Sequence, residues 1–213
     1  SAIVAEAMGR AGFAWGVVDM EHAPLDLKDL VQVLQALSGT GLLPVTRVPW
    51  NDTVTIKRVL DAGVQTLLVP FVQNADEARR AVAATRYPPE GVRGMAAMSR
   101  GSMFGTIVDY YAAANRRIAV IVQLETLGAV QALEEIAAVP GVDGLFLGPA
   151  DLSGSMGLPG QTAHPEVKAV MADVARRARA AGRWVGTVGG SAEVVREYRT
   201  MGYDFVAVAS DLD

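Results

Sequence analysis

Short apolar runs alternate with helix-spaced stretches along almost the whole of this chain, and that alternation restricts its fold more than any other feature. The runs are AWGVVDMEH, LLPVTRV, TLLVPFV, IAVIVQLE, VDGLFLG, RWVGTV and YDFVAVAS. Between them lie amphipathic segments. Asp26 caps a helix with Leu27, Leu30, Val31, Leu34 and Leu37 as its apolar stripe. NDTVTIKRVLDAG reads as a short helix stopped by Gly63, and ADEARRAVAATRY as one stopped by Pro88 and Pro89. TIVDYYAAANRR, LGAVQALEEIAAV and AEVVREYRTMG read the same way. HPEVKAVMADVARRARAAG carries Pro165 at a favoured first helical position. Continuous βα alternation implies a parallel sheet, and no composition break marks a linker. The expectation is one α/β domain over residues 1–213. A (β/α)8 TIM barrel fits better than an open sheet, because polar residues recur at the end of strand after strand. Its first strand and C-terminal helix are missing: Ala2–Arg10 is a helix with no strand before it, and YDFVAVAS has no helix after it.

Residues 88–105, PPEGVRGMAAMSRGSMFG, break the rhythm with four glycines and no clean period. They predict an insertion or loop near the mouth of the site, with a disordered surface loop as the alternative.

With 213 residues, half of them apolar, the chain can bury a sizeable core. A net charge of −4 gives no support for nucleic acid or an anionic membrane as partner. Absence of cysteine excludes disulfides, thiolate nucleophiles and zinc–sulfur sites. No run approaches the ~20 apolar residues of a membrane span, and a cytoplasmic enzyme is the default expectation.

Two of the strands stop abruptly at a carboxylate: VIVQLET at Glu125 and GLFLGPADLS at Asp151, 26 positions apart. Adjacent parallel strands bring such residues together at the ligand side of an α/β sheet. Two oxygen ligands with open positions suit Mg²⁺ or Mn²⁺. Equally, Glu125 could cap the next helix and Asp151 could make a turn. Asp19, Glu21, His22, Arg47 and Gln123 also fall at strand ends. A metal held by Glu125 and Asp151 could chelate a 2-oxo acid, with Arg47 stabilising the charge of the enolate. His22 could move the proton, and Asp19 could orient His22. The bland alternatives are a loop histidine and a structural arginine ion pair. His164, before Pro165, reads as a helix-start residue without chemistry. The three lysines, Lys28, Lys57 and Lys168, all fall in helical stretches outside a barrel, which argues against a Schiff-base aldolase. No GxGxxG after a strand and no P-loop is present.

At these residues the chain resembles the HpcH/HpaI aldolase family of metal-dependent pyruvate aldolases. The resemblance is carried by VVDMEHAPLD, VTRVPWND, IKRVLDAGVQTLLVPFVQNADEARRAVAATRYPPEGVRG, VQLET, GVDGLFLGPADLSGSMG and FVAVASD. It implies reversible cleavage of a 4-hydroxy-2-oxo acid to pyruvate and an aldehyde. It also implies Glu125 and Asp151 as ligands of Mg²⁺ or Mn²⁺, with Co²⁺ as a further option. Arg47 is implied to bind and polarise pyruvate, and His22 to handle the proton with Asp19. Gln123, Gly148 and Ala150 are implied as substrate contacts, the last two through backbone amides. Asp61 matches an aspartate that the family brings in from a neighbouring subunit beside the histidine. A homo-oligomer follows, a hexamer built as a trimer of dimers. Asp61 also sits in the last turn of a helix, just before a strand's start, on the face of a barrel opposite the metal. Two rival readings are a citrate-lyase-type acyl-CoA lyase and a barrel that only binds a ligand.

Overall fold

The computed structural model describes residues 1–211; residues 212 and 213, the end of the expected domain span, lie outside the described residues. The elements follow the expected alternation: α1 (Ala2–Arg10), β1 (Trp15–Asp19), α2 (Leu27–Leu37), β2 (Leu43–Arg47), α3 (Thr53–Asp61), β3 (Thr66–Val69), α4 (Ala75–Thr85) and α5 (Tyr110–Arg117). Then come β4 (Ala119–Leu124), α6 (Leu127–Gln131), α7 (Leu133–Ala137), β5 (Gly144–Leu147), α8 (Pro149–Ser155), α9 (Pro165–Ala180), β6 (Trp184–Val188), α10 (Ala192–Met201) and β7 (Phe205–Ala207). Seven strands lie in one sheet in sequence order, and the registered neighbours run parallel. That is the strand order of a TIM-like (β/α) barrel with elements missing. Among the described residues, no helix is long and apolar enough to cross a membrane.

The chain packs as two compact units. Ser1–Val69 with Arg80–Val120 forms one, and Pro70–Arg79 with the chain from Ile121 onward forms the other. In the first, β1 and β2 pair in a register that sets Asp19 opposite Arg47. Helix α2 buries Leu30, Val33, Leu34 and Leu37. Its buried face is thus turned slightly from the expected stripe, since Val33 replaces Leu27 and Val31. Helix α3 buries Ile56, Val59 and Leu60, and the Asp52 carboxylate caps it by accepting from Thr55 N at 2.7 Å.

Residues 86–109 carry no regular element, a longer stretch than the 88–105 expected because α4 stops at Thr85 and α5 starts only at Tyr110, but they are tied down. Asn115 accepts from Tyr87 N at 2.7 Å and donates to Tyr87 O and the Glu90 carboxylate. Tyr111 Oη donates to Ala96 O, and Arg100 donates to Ala62 O. Gly101 N donates to Asp61 O. The last two bonds correct the expected position. They fasten the loop to the C-terminal end of α3, which leads into the start of β3, and not to the C-terminal ends of the strands of its unit. The carbonyls of a helix's last turn lack intrahelical donors, and the loop supplies them.

In the second unit, Leu124 is registered with Leu147, and Leu147 with Thr187. Val122, Leu124, Leu145 and Leu147 are fully buried, each stabilising the fold by about 1.5–3 kcal/mol relative to exposure. Helix α9 buries Val167, Met171, Val174, Ala175 and Ala178, one face at helical spacing. His164 is its N-cap, with Nδ1 accepting from Glu166 N. The expected helix LGAVQALEEIAAV is broken at Ala132 into α6 and α7. Helix α8 was not expected: Asp151, read as a strand's end with a turn as the alternative, lies in its first turn.

Candidate active site

In the first unit, polar side chains gather where β1 and β2 end. The Asp19–Arg47 register places the two side chains on neighbouring strand ends. Arg47 forks onto Asp19, donating from Nε to Oδ1 at 2.9 Å and from Nη2 to Oδ2 at 2.6 Å. Its Nη1 lies 3.2 Å from Glu21 Oε2. A guanidinium held through both of its ends has one orientation. Asp19 Oδ1 also accepts from the backbone N–H of Glu21 and His22. Burial works against the Asp19 charge, but the Arg47 bonds and these two amides outweigh it and hold its carboxyl below the usual range.

His22 was expected to lean on Asp19. The Asp19 carboxylate is instead engaged by Arg47 and reaches His22 only at its backbone. The carboxylate beside the His22 ring is Glu21, with Oε2 3.7 Å from Nε2. The His22 side chain is 66% exposed, so the ring can meet a substrate.

Asp61 ends α3, away from the strand ends that carry His22 and Arg47 in that unit. Its Oδ1 accepts from Arg93 Nη2 at 2.8 Å. The Arg93 side chain is fully buried, and its guanidinium lies 4.4 Å over the Tyr87 ring. Asp61 is therefore paired within its own chain and is not an unpaired surface carboxylate.

In the second unit the ends of β4 and β5 hold the expected metal ligands. Glu125 is 2% exposed. Gln123 Nε2 donates to its Oε1 at 2.6 Å, and Phe71 N donates to its Oε2 at 2.8 Å. It does not cap the next helix; Thr126 does, accepting from Ala129 N. Gly148 N donates to Leu124 O, which lays the turn after β5 along the end of β4. Three residues on, Asp151 is exposed in the first turn of α8, where the helix dipole favours a negative charge. Ala150 lies beside it in the same turn.

Two observations bear on whether a cation fits here. A Cβ at Gly148 would lie 2.9 Å from Glu125 Oε1 and 3.2 Å from Gln123 Nε2, so the glycine makes room for the carboxylate. The buried Gln123 Oε1 has no hydrogen-bond partner among the described residues, and a ligand's or a water's donor would satisfy it. Among the described residues, no three His, Cys, Asp or Glu side chains form a metal cage. A cation using Glu125 and Asp151 thus completes its shell with water or substrate oxygens. Mg²⁺ and Mn²⁺ accept such a site, because they are bound through few carboxylates and retain waters. The residues present fit the group.

Reading the sequence missed three participants. Phe71 holds Glu125 through its backbone, and nothing in the residue type announces that. Glu21 was noted only as one strand-end polar group. Arg93 lies in the quoted PPEGVRG, but a lone arginine there carries no visible partner.

Sequential parallel strands with carboxylates at the ends of β4 and β5 place this chain in the (β/α)-barrel class. It belongs to the HpcH/HpaI aldolase/citrate lyase family, whose model matches residues 1–213. It is 51% identical over 212 residues to a 2-dehydro-3,6-dideoxy-6-sulfogluconate aldolase of Pseudomonas putida, covering all of this chain and 83% of that one. It is 47% identical, with the same coverage, to a 5-keto-4-deoxy-D-glucarate aldolase of Salmonella arizonae. The crystal structure of an HpcH/HpaI aldolase/citrate lyase family protein from Burkholderia cenocepacia superposes with a TM-score of 0.97 at 43% identity, over all of this chain and 85% of that one.

Proposed function

We propose that this protein is a divalent-metal-dependent aldolase that reversibly cleaves a 4-hydroxy-2-oxo sugar acid to pyruvate and an aldehyde. The observation that carries the reading is Glu125, a buried carboxylate fixed on both oxygens at a strand end, in a chain about half identical to two named aldolases. Those relatives are named for sugar acids, and a substrate of that class is proposed here. The aldolase reading is favoured over the acyl-CoA one because both named relatives match the chain from end to end.

Glu125 and Asp151 would hold Mg²⁺ or Mn²⁺, which supplies Lewis-acid stabilisation of the oxygen at C2 of the 2-oxo acid. His22 takes the proton of the 4-hydroxyl as the C3–C4 bond breaks and the aldehyde forms. The bonding pair moves to C3, charge spreads onto the C2 oxygen, and a proton then returns to C3. Arg47, oriented by Asp19 and Glu21, donates to that oxygen while the charge is present. Gln123 and the backbone amide of Ala150 contact the substrate's 2-oxo acid end; the Gly148 amide, expected to do the same, is already bonded to Leu124 O. Asp61 acts beside the His22 of a neighbouring copy in a homo-oligomer, a hexamer by family resemblance. The Asp61–Arg93 pair supports this by fixing the carboxylate while leaving it 24% exposed.

The test is pyruvate release from 4-hydroxy-2-oxo sugar acids, coupled to lactate dehydrogenase, before and after EDTA treatment. Loss of turnover with EDTA and its return with Mg²⁺ or Mn²⁺ is the expected result. Turnover that survives complete metal removal refutes the mechanism.

A further inference from the structure

We propose that Phe71 is a positioning residue for Glu125, acting through its backbone; the inference rests on the metal-site reading above. Phe71 has φ +54°, the left-handed region that non-glycine residues seldom occupy. The residue is 39% exposed, so it is not held there as a buried core side chain.

The conformation has a geometric cause. Phe71 N donates to Glu125 Oε2, and the next amide, Val72 N, donates to Gln123 O at 3.1 Å. Both acceptors belong to the end of β4. Along an extended strand the pleat turns successive residues to opposite sides, so two consecutive amides cannot both face β4. A left-handed residue between them brings both N–H groups to one side, the arrangement by which backbone concavities bind anions. Here the anion is a side-chain carboxylate of the same unit.

The surroundings hold the turn in place, as strained backbone at functional sites requires. Gln73 N donates to Glu77 Oε2, and Thr126 Oγ1 donates to Gln73 Oε1. Gln123 Nε2 secures the other oxygen of Glu125, and Gly148 leaves the space that the carboxylate occupies. A carboxylate offers about four lone-pair sites. Phe71 and Gln123 each hold one oxygen, so the orientation of the carboxylate is set before a cation arrives.

Two variants separate backbone from ring. Phe71→Gly removes the ring but adopts φ +54° freely, whereas Phe71→Val removes the ring and resists that conformation. Mn²⁺ affinity is read from the free-ion signal in electron paramagnetic resonance, with circular dichroism to confirm the fold. Phe71→Val is expected to weaken Mn²⁺ binding about 10–100-fold, at least tenfold more than Phe71→Gly does. Equal affinity of the two variants, whether both near wild type or both weakened, overturns the proposal. Should Phe71→Val not fold, amide hydrogen exchange decides the matter. Glu125→Ala is expected to speed exchange at Phe71 by at least tenfold, and unchanged protection there overturns the proposal. Failure of the wild-type chain to bind Mn²⁺ would instead refute the metal-site reading itself.

Discussion

Gly148→Ala should damage the metal site although the backbone at that position tolerates any residue. Gly148 has φ −89° and ψ 100°, ordinary for an L-amino acid. On backbone grounds alone, alanine would stabilise the protein by about 0.4–1 kcal/mol by restricting the unfolded chain. The new Cβ, however, would sit 2.9 Å from Glu125 Oε1, 3.0 Å from its Cγ and 3.2 Å from Gln123 Nε2. A flexible exposed side chain would swing aside at little cost. Glu125 is 2% exposed and bonded at both oxygens, so moving it breaks a hydrogen bond to a charged group. Such a bond contributes about 1.5–3 kcal/mol, and the net expectation is a loss of about 0.5–2.6 kcal/mol. For a domain of this length that corresponds to a Tm lower by about 1–10 °C. Mn²⁺ affinity should fall about 10–100-fold, the usual effect of disturbing a ligand's support. Thermal melts in EDTA isolate the first effect, and Mn²⁺ titration measures the second. Gly154→Ala in α8 is the control: a Cβ there meets nothing within 4 Å, so that variant should melt no lower than wild type. A Gly148→Ala protein with unchanged Tm and Mn²⁺ affinity would refute the reasoning.

Arg47→Ala should lower kcat by about 10²–10³, because the charge it offsets appears only as the bond breaks; a change confined to KM would reduce Arg47 to a binding residue. The Asp19 carboxyl is held below its usual range by Arg47 and two amides, against the effect of burial. Its contribution to stability is therefore complete above the ordinary carboxylate pKa of about 4 and is lost as pH falls through the lower, folded value. Urea melts of wild type and Arg47→Ala should differ most above pH ~4 and converge in acid; a difference that widens as pH falls contradicts this account. Mixing His22→Ala and Asp61→Ala subunits by co-expression should restore part of the activity that each variant lacks alone, read as pyruvate release. No recovery in a verified mixed oligomer would remove Asp61 from a shared site.

The alternation of apolar runs and amphipathic stretches determined the parallel α/β class and the order of its elements. It could do so because strand and helix periodicities are local properties of the chain. The strand-end places of Glu125 and Arg47 were legible for a related reason: an apolar run that stops at a polar residue marks a strand's end without reference to anything distant. Boundaries were less legible where tertiary contacts choose them. The break at Ala132 and the helical turn at Asp151 follow no signal that was read in their own segments. Partner choice was not legible at all. The β1–β2 register gave Asp19 to Arg47 and left Glu21 beside His22, although Asp19, Glu21 and His22 lie within three residues along the chain. Arg93 finds Asp61 across 32 positions. Phe71 reaches Glu125 across 54, using a backbone conformation that its side chain disfavours. A hydrogen bond between residues far apart in sequence depends on both of their places in the packed fold, and only the tertiary structure fixes those.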